Sequence, residues 1–224
     1  MLFKRKNCDE TKLEIINSSS SFALKEAYNT VAANILYLPI EANTKKIAVT
    51  SAVYGEGKTS VAINLAISLA MNLIDKKILL IDADMRSPRV ADFMNLDINA
   101  LSNKNGLSEF LSEKTDKPNI ITTDVNNLDL VFAGTPPFNP AGLIRSDRMS
   151  QILLECEGKY DYVIIDTPPT TVVSDAVFLA GRVDGYVITT RAKYSVLSKI
   201  DSAERALSSA GASIFGMILT DSKK

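Results

Sequence analysis

From Phe22 to Leu38 the apolar positions Phe22, Leu24, Ala27, Val31, Ile35 and Leu38 recur at helical spacing, and Pro39 stops the run. This predicts an amphipathic helix ahead of the first strand. Downstream the pattern changes to short apolar runs at 46–50, 78–81, 128–132, 162–165, 185–189 and 214–219. Runs that are apolar on both faces predict buried strands. Helical patterns fill the gaps at 60–72, 106–112, 140–155, 174–180 and 195–210. The alternation predicts an α/β fold, a mainly parallel central sheet flanked by helices on both faces. Residues 1–21 are polar, end in Ser18-Ser19-Ser20-Ser21 and lack periodicity, so a flexible N-terminal tail is expected there, with 22–224 as a single domain. The polar stretch 97–127 reads as a surface excursion.

Composition narrows the function classes. With 25 Lys+Arg against 26 Asp+Glu the net charge is -1. No global field draws the chain to nucleic acid, and any anion site must be local. Cys8 and Cys156 lie far apart and the chain has no histidine, so they read as reduced thiols of a cytosolic protein rather than zinc ligands. No apolar run approaches the roughly 20 residues of a membrane-spanning helix. The expected location is cytoplasmic, and membrane association would require a partner.

The strand at 46–50 runs into Ser51-Ala52-Val53-Tyr54-Gly55-Glu56-Gly57-Lys58-Thr59-Ser60 and then directly into a helix. Strand, loop and helix in that order are the context of a P-loop, whose backbone N–H groups and helix N-terminus cradle phosphate. Gly55, Glu56, Gly57, Lys58, Thr59 and Ser60 are the expected nucleotide-binding residues. Lys58 would reach the β- and γ-phosphates of ATP, and the Thr59 hydroxyl would join the shell of Mg2+. Ala52 stands where the motif GxxxxGK[ST] has its first glycine, leaving the formal match one residue short.

Two more strands end in aspartate, in Leu79-Leu80-Ile81-Asp82-Ala83-Asp84 and Val163-Ile164-Ile165-Asp166. Ligands of open α/β sheets gather at the carboxyl ends of strands, so these acids are expected at the same site. Lys58, Asp82, Asp84 and Asp166 are the candidate catalytic residues, and Thr59, Asp82 and Asp166 the candidate metal ligands. Asp82 or Asp84 would orient or deprotonate an attacking hydroxyl, while Asp166 fits magnesium held through water. Asp84 is equally readable as a loop or helix cap. Arg86 and Arg89 could supply positive charge to a phosphate or to a neighbouring acidic residue, although Arg89 reads at least as well as a solvated surface charge.

The P-loop at 52–59, ILLIDADMR at 78–86 and VIIDTPP at 163–169 together resemble the Walker A, A′ and B set of the bacterial tyrosine kinases. Asn105 to Leu111 and Gly134 to Ile144 are similar to two further stretches of that family, as are Asp175-Ala176 and Val183-Asp184-Gly185. The resemblance runs from about residue 22 to residue 219. It implies a P-loop NTPase fold, an ATP-dependent tyrosine kinase that regulates capsular and extracellular polysaccharide synthesis, and a tyrosine-bearing protein substrate. It also implies a membrane-embedded co-polymerase that activates the kinase and recruits it to the inner face of the membrane. ParA- and MinD-type ATPases are related by mechanism, but Val53 to Gly57 lacks the extra lysine on which they depend.

Several positions depart from the family. Glu26, Asn29 and Ala32 stand where it carries Glu-x-x-Arg-x-x-Arg, which weakens the expectation of a homo-oligomeric ring by that route. Phe138 replaces a proline, Gly142 replaces a glutamate, and no tyrosine follows Tyr194. The alternative is therefore an ATP-binding switch of the polysaccharide machinery with little kinase activity.

Overall fold

In the computed structural model of the chain, residues 14–98 and 104–221 are described. Cys8 and residues 1–13 of the expected tail lie outside them.

Helix α1 (Phe22–Leu36) precedes β1 (Lys45–Ser51), which feeds through the P-loop into α2 (Lys58–Asn72) and then β2 (Ile78–Asp82). A short α3 (Val90–Phe93), α4 (Leu107–Leu111), β3 (Ile121–Thr122) and β4 (Leu128–Val131) follow. The chain continues through α5 (Pro140–Arg145), α6 (Asp147–Glu155), β5 (Tyr162–Asp166), β6 (Gly185–Arg191), α7 (Leu197–Ser209) and β7 (Ile214–Thr220). The seven strands lie in the order β3-β4-β2-β5-β1-β6-β7, all parallel except β3, which pairs antiparallel with β4.

Period-two alternation sorts the central strands into two cores. Ile47, Val49, Ile78, Leu80 and Ile164 face the layer containing α1 and α2. Ala48, Leu79, Ile81, Val163 and Ile165 face the layer containing α4, α6 and α7. Both faces are covered, which explains why the strands read as continuous apolar runs.

Helix α2 is buried from Lys58 to Ala70 because the sheet covers one side and α1 the other. The α1–α2 seam is partly polar: the Asn29 side-chain oxygen accepts from Ser68 Oγ at 3.1 Å and from Asn72 Nδ2 at 2.8 Å. Ala32, one turn on, is buried. Two of the positions that depart from the family pattern are thus occupied in packing against α2. Residues 14–20, in the expected tail, also pack there. Ile16 is buried in the core, its N–H donates to Asn64 Oδ1 at 2.8 Å, and Asn64 Nδ2 donates to the Glu14 carbonyl at 2.9 Å.

The expected helix at 140–155 is two helices. Ser146 is extended (φ -64°, ψ 160°), and Arg182 donates to the carbonyls of Ile144 at 2.6 Å and Arg145 at 2.7 Å. That side chain takes carbonyls that a continuous helix would need. The expected helix at 174–180 is a turn with a short 3-10 segment, Val177–Leu179, beside the Asp175 carboxylate that Arg86 holds. Within the polar excursion, Leu107, Phe110 and Leu111 are buried, so α4 belongs to the core.

Candidate active site

The P-loop leaves β1 at the centre of the sheet and closes on α2 with Gly57 as N-cap. Gly55 and Gly57 take φ of +83° and +88°, the left-handed region that L side chains rarely adopt. Ala52 has no positive φ and is fully buried, so alanine fits where the motif has glycine. No side chain caps α2, which leaves its first amides for an anion.

The loop's carbonyls turn outward onto the scaffold. Ser51 O accepts from Thr170 N at 2.9 Å and Ala52 O from Thr171 Oγ1 at 2.6 Å. Tyr54 O accepts from Tyr194 Oη at 3.0 Å, Gly55 O from Arg191 Nη1 at 3.3 Å and Glu56 O from Thr220 Oγ1 at 3.0 Å. The buried Glu56 carboxylate accepts from Val53 N at 2.9 Å and from the Ser195 hydroxyl. Its side chain shapes the loop from behind and does not line the cleft.

Lys58, the first residue of α2, places its ammonium 2.6 Å from Asp84 Oδ2 and 3.6 Å from Asp166 Oδ1. Thr59 Oγ1 donates to Asp166 Oδ2 at 2.7 Å and accepts from Lys58 Nζ at 3.2 Å. Asp82 and Asp166 end adjacent strands in direct register. Their contacts differ from Asp84's. Both Asp82 oxygens are taken by backbone, accepting from Asp84 N and Val90 N at 3.2 Å each, so Asp82 organises the loop after β2. Asp84 reaches the cleft wall and bonds Lys58, although its other oxygen accepts from Ser87 N at 3.1 Å in the capping manner. Arg86 supplies its charge to a neighbouring acid: it grips buried Asp175 with two bonds of 2.6 and 3.0 Å, tying the loop after β2 to the loop after β5.

Crowding carboxylates around one buried lysine shifts the titration of Asp166, Asp82 and Lys58. Burial raises the Asp166 carboxyl to about 6, Lys58 opposing and Asp84 reinforcing the shift. Burial, then Asp166, raises Asp82 well above the ordinary range. Burial alone would lower Lys58, but Asp166 and Asp84 more than reverse it, so the ammonium stays charged. Such a site repels a bare triphosphate and favours one that brings a cation. The residues fit that cation: Asp166 Oδ1 is buried and accepts no hydrogen bond, and the Thr59 hydroxyl lies beside it. Among the described residues no three His, Cys, Asp or Glu side chains cluster as a metal cage. Mg2+ keeps several waters and takes further ligands from phosphate, so the Thr59 hydroxyl and the Asp166 carboxylate would suffice as its side-chain ligands.

A family model described as an AAA domain matches residues 44–203. The tyrosine-protein kinase YwqD of Bacillus subtilis is 34% identical over 199 residues, covering 88% of this chain and 81% of the relative. The chain belongs to the bacterial tyrosine-protein kinases. Solved structures agree: the chimerical protein CapA2B2 superposes on this kinase with a TM-score of 0.80 at 28% identity, covering 96% of this chain and 97% of that one. The kinase domain of Escherichia coli tyrosine kinase ETK gives 0.76 at 28% identity, covering 89% and 78%.

The kinase is thus a nucleotide-binding P-loop protein whose cleft is lined by the P-loop, Asp84 and four residues outside the sequence-based set: Ser87, Arg89, Phe93 and Arg191. Tyr54 of the P-loop also lines it. A signal for Arg191 existed, since it ends β6 and strand tips of open sheets face the ligand. Arg89 carried the signal of a cation close behind the acidic strand tip, while Ser87 and Phe93 carry no such mark. Among the described residues, no helix is long and apolar enough to cross a membrane.

Proposed function

We propose that this kinase binds ATP with Mg2+ and transfers the γ-phosphoryl group to a tyrosine hydroxyl of a protein substrate. The observation that supports it most is the Lys58 ammonium held at the α2 N-terminus by carboxylates from two neighbouring strand tips. The amides of Gly55 to Ser60 and Lys58 would hold the phosphates, with Lys58 leaving Asp84 for phosphate oxygen as nucleotide enters. Thr59 and Asp166 would hold the magnesium, Asp82 adding charge from behind. When bound, the metal ion neutralises phosphate oxygens. Asp84, freed from Lys58 at the cleft wall, would accept a hydrogen bond from the acceptor hydroxyl and align it for attack. Asp82, bound by two amides, is a poorer acceptor for that proton and would position Asp84.

Regulation of capsular and extracellular polysaccharide synthesis is the biological setting we assign, with recruitment to the inner membrane face by a membrane-embedded activator. Incubation with γ-labelled ATP, Mg2+ and a glutamate–tyrosine copolymer, with and without the activator's cytoplasmic segment, tests the reaction. Label on copolymer tyrosine is expected; label released solely as inorganic phosphate would instead fit an ATPase switch.

A further inference from the structure

The chain contains seven tyrosines. Tyr28, Tyr160, Tyr162 and Tyr186 are buried, which leaves Tyr37, Tyr54 and Tyr194 with exposed rings. Tyr194 differs from the other two in what its hydroxyl does. It sits in the tight turn between β6 and α7, 45% exposed, and donates to the Tyr54 carbonyl of the P-loop at 3.0 Å. The phenol lies so close to Gly55 that a Cβ there would be 3.1 Å from Oη. The Arg191 guanidinium lies 5.2 Å from the ring centre and donates to the Gly55 carbonyl at 3.3 Å.

We propose that Tyr194 is a phosphorylation site, modified by a second copy of this kinase, and that its phosphate detaches the P-loop from the β6–α7 turn and weakens nucleotide binding. The inference rests on the tyrosine-kinase reading above. A second copy is required because Tyr194 bonds the carbonyl side of its own P-loop, while phosphate binds the amide side; the loop stands between the hydroxyl and its own ATP. In the transfer, a Tyr194 Oη lone pair forms the new P–O bond to the γ-phosphorus. The bond to the bridging oxygen breaks with its electrons leaving on ADP, and the phenolic proton passes to a carboxylate of the donor copy or to water.

The product removes the O–H donor and sets a dianion against the Tyr54 and Gly55 carbonyls. The Arg191 guanidinium lies against the ring and also holds Asp221 at 3.2 Å; pairing with phosphate would draw it off Gly55 O and away from the cleft it lines. Two of the outward tethers of the P-loop are lost in one event. Those from Ser195 and Thr220 to Glu56 remain, so the loop loosens without unfolding.

Isotopically heavy Lys58→Met protein mixed with light wild type, ATP and Mg2+ should acquire phosphate at Tyr194, read by peptide mass spectrometry. If the variant does not fold, the fractional rate of Tyr194 phosphorylation in wild type serves the same purpose: it should rise with protein concentration, and a rate independent of concentration would overturn transfer between copies. Phosphate on Tyr37, Tyr54 or an added glutamate–tyrosine copolymer with none on Tyr194 overturns this inference alone. No phosphate on any tyrosine or on the copolymer overturns the kinase reading and this inference with it. Phosphotyrosine installed at 194 by genetic code expansion provides a readout independent of kinase activity. Calorimetry should show Mg-ADP affinity falling about tenfold or more, against a smaller loss for Tyr194→Phe, and equal affinity of the phosphorylated and unmodified proteins would overturn the regulatory effect.

Discussion

Lys58 carries a different burden with and without nucleotide. In the resting site it is the cation facing Asp84 and Asp166, both buried, and removing it leaves their charge without a partner. Breaking a buried pair from one side costs about 3–5 kcal/mol. Lys58→Met should therefore lower the melting temperature of the nucleotide-free protein as well as abolish ATP binding. Adding Asp84→Asn to that variant should recover part of the stability and none of the binding, a non-additivity that a double-mutant cycle in denaturant measures. Asp84→Asn alone should cut phosphotransfer by roughly 100-fold or more with the fold intact. Asp82→Asn should show a larger share of its effect in stability, because it disturbs the acceptor of two loop amides. The converging aspartates were legible from strands ending in acid. Which acid meets the lysine was not, since both lie in one Asp-x-Asp and only the turn after β2 decides which of them is spent on backbone.

At the scale of elements, α4 depends on one side chain. Glu109 Oε2 accepts from Gly106 N at 2.9 Å and Ser108 Oγ at 3.1 Å, while Oε1 accepts from Thr135 N at 3.1 Å. It fastens the start of α4 to the loop before α5, where Gly134 has φ +82° and its Cβ would fall 2.1 Å from Oε2. Glu109→Ala should cost about 1–3 kcal/mol, the desolvation of donors left without acceptors. Burial alone would raise this carboxyl, but the bonds from Gly106 and Thr135 outweigh it and hold it below its ordinary 4.5. Its contribution is accordingly complete above that value and is lost as pH falls through the lowered one. Denaturation of wild type and Glu109→Gln should converge in that acid range and separate at neutral pH. The central strands and the P-loop helix were readable here because both faces of β1, β2 and β5 are buried, whereas β3, two partly exposed residues on the sheet edge, left no apolar run. The break between α5 and α6 was not, because its cause is Arg182, some 37 residues from Arg145 in sequence. The 3-10 turn at 177–179 escaped for the same reason, its neighbour Asp175 being held by Arg86 from 89 residues away.

For the whole molecule, the sheet order sets the chemistry. Because β5 inserts between β1 and β2, the strand tips carrying Asp82 and Asp166 lie side by side next to the P-loop at a topological switch point. The N-terminal segment adds a second layer of organisation through Asn64, which sits in the middle of α2 and holds both Glu14 and Ile16. Asn64→Leu should release residues 14–20, seen as fast amide exchange there, while exchange in the sheet stays slow. The same clip gives the fold a mechanical character. A pull at residue 14 passes through Asn64 into a helix that begins at Lys58. Tension from anything anchored upstream would thus be felt at the nucleotide, and ATP occupancy would in turn stiffen the tether.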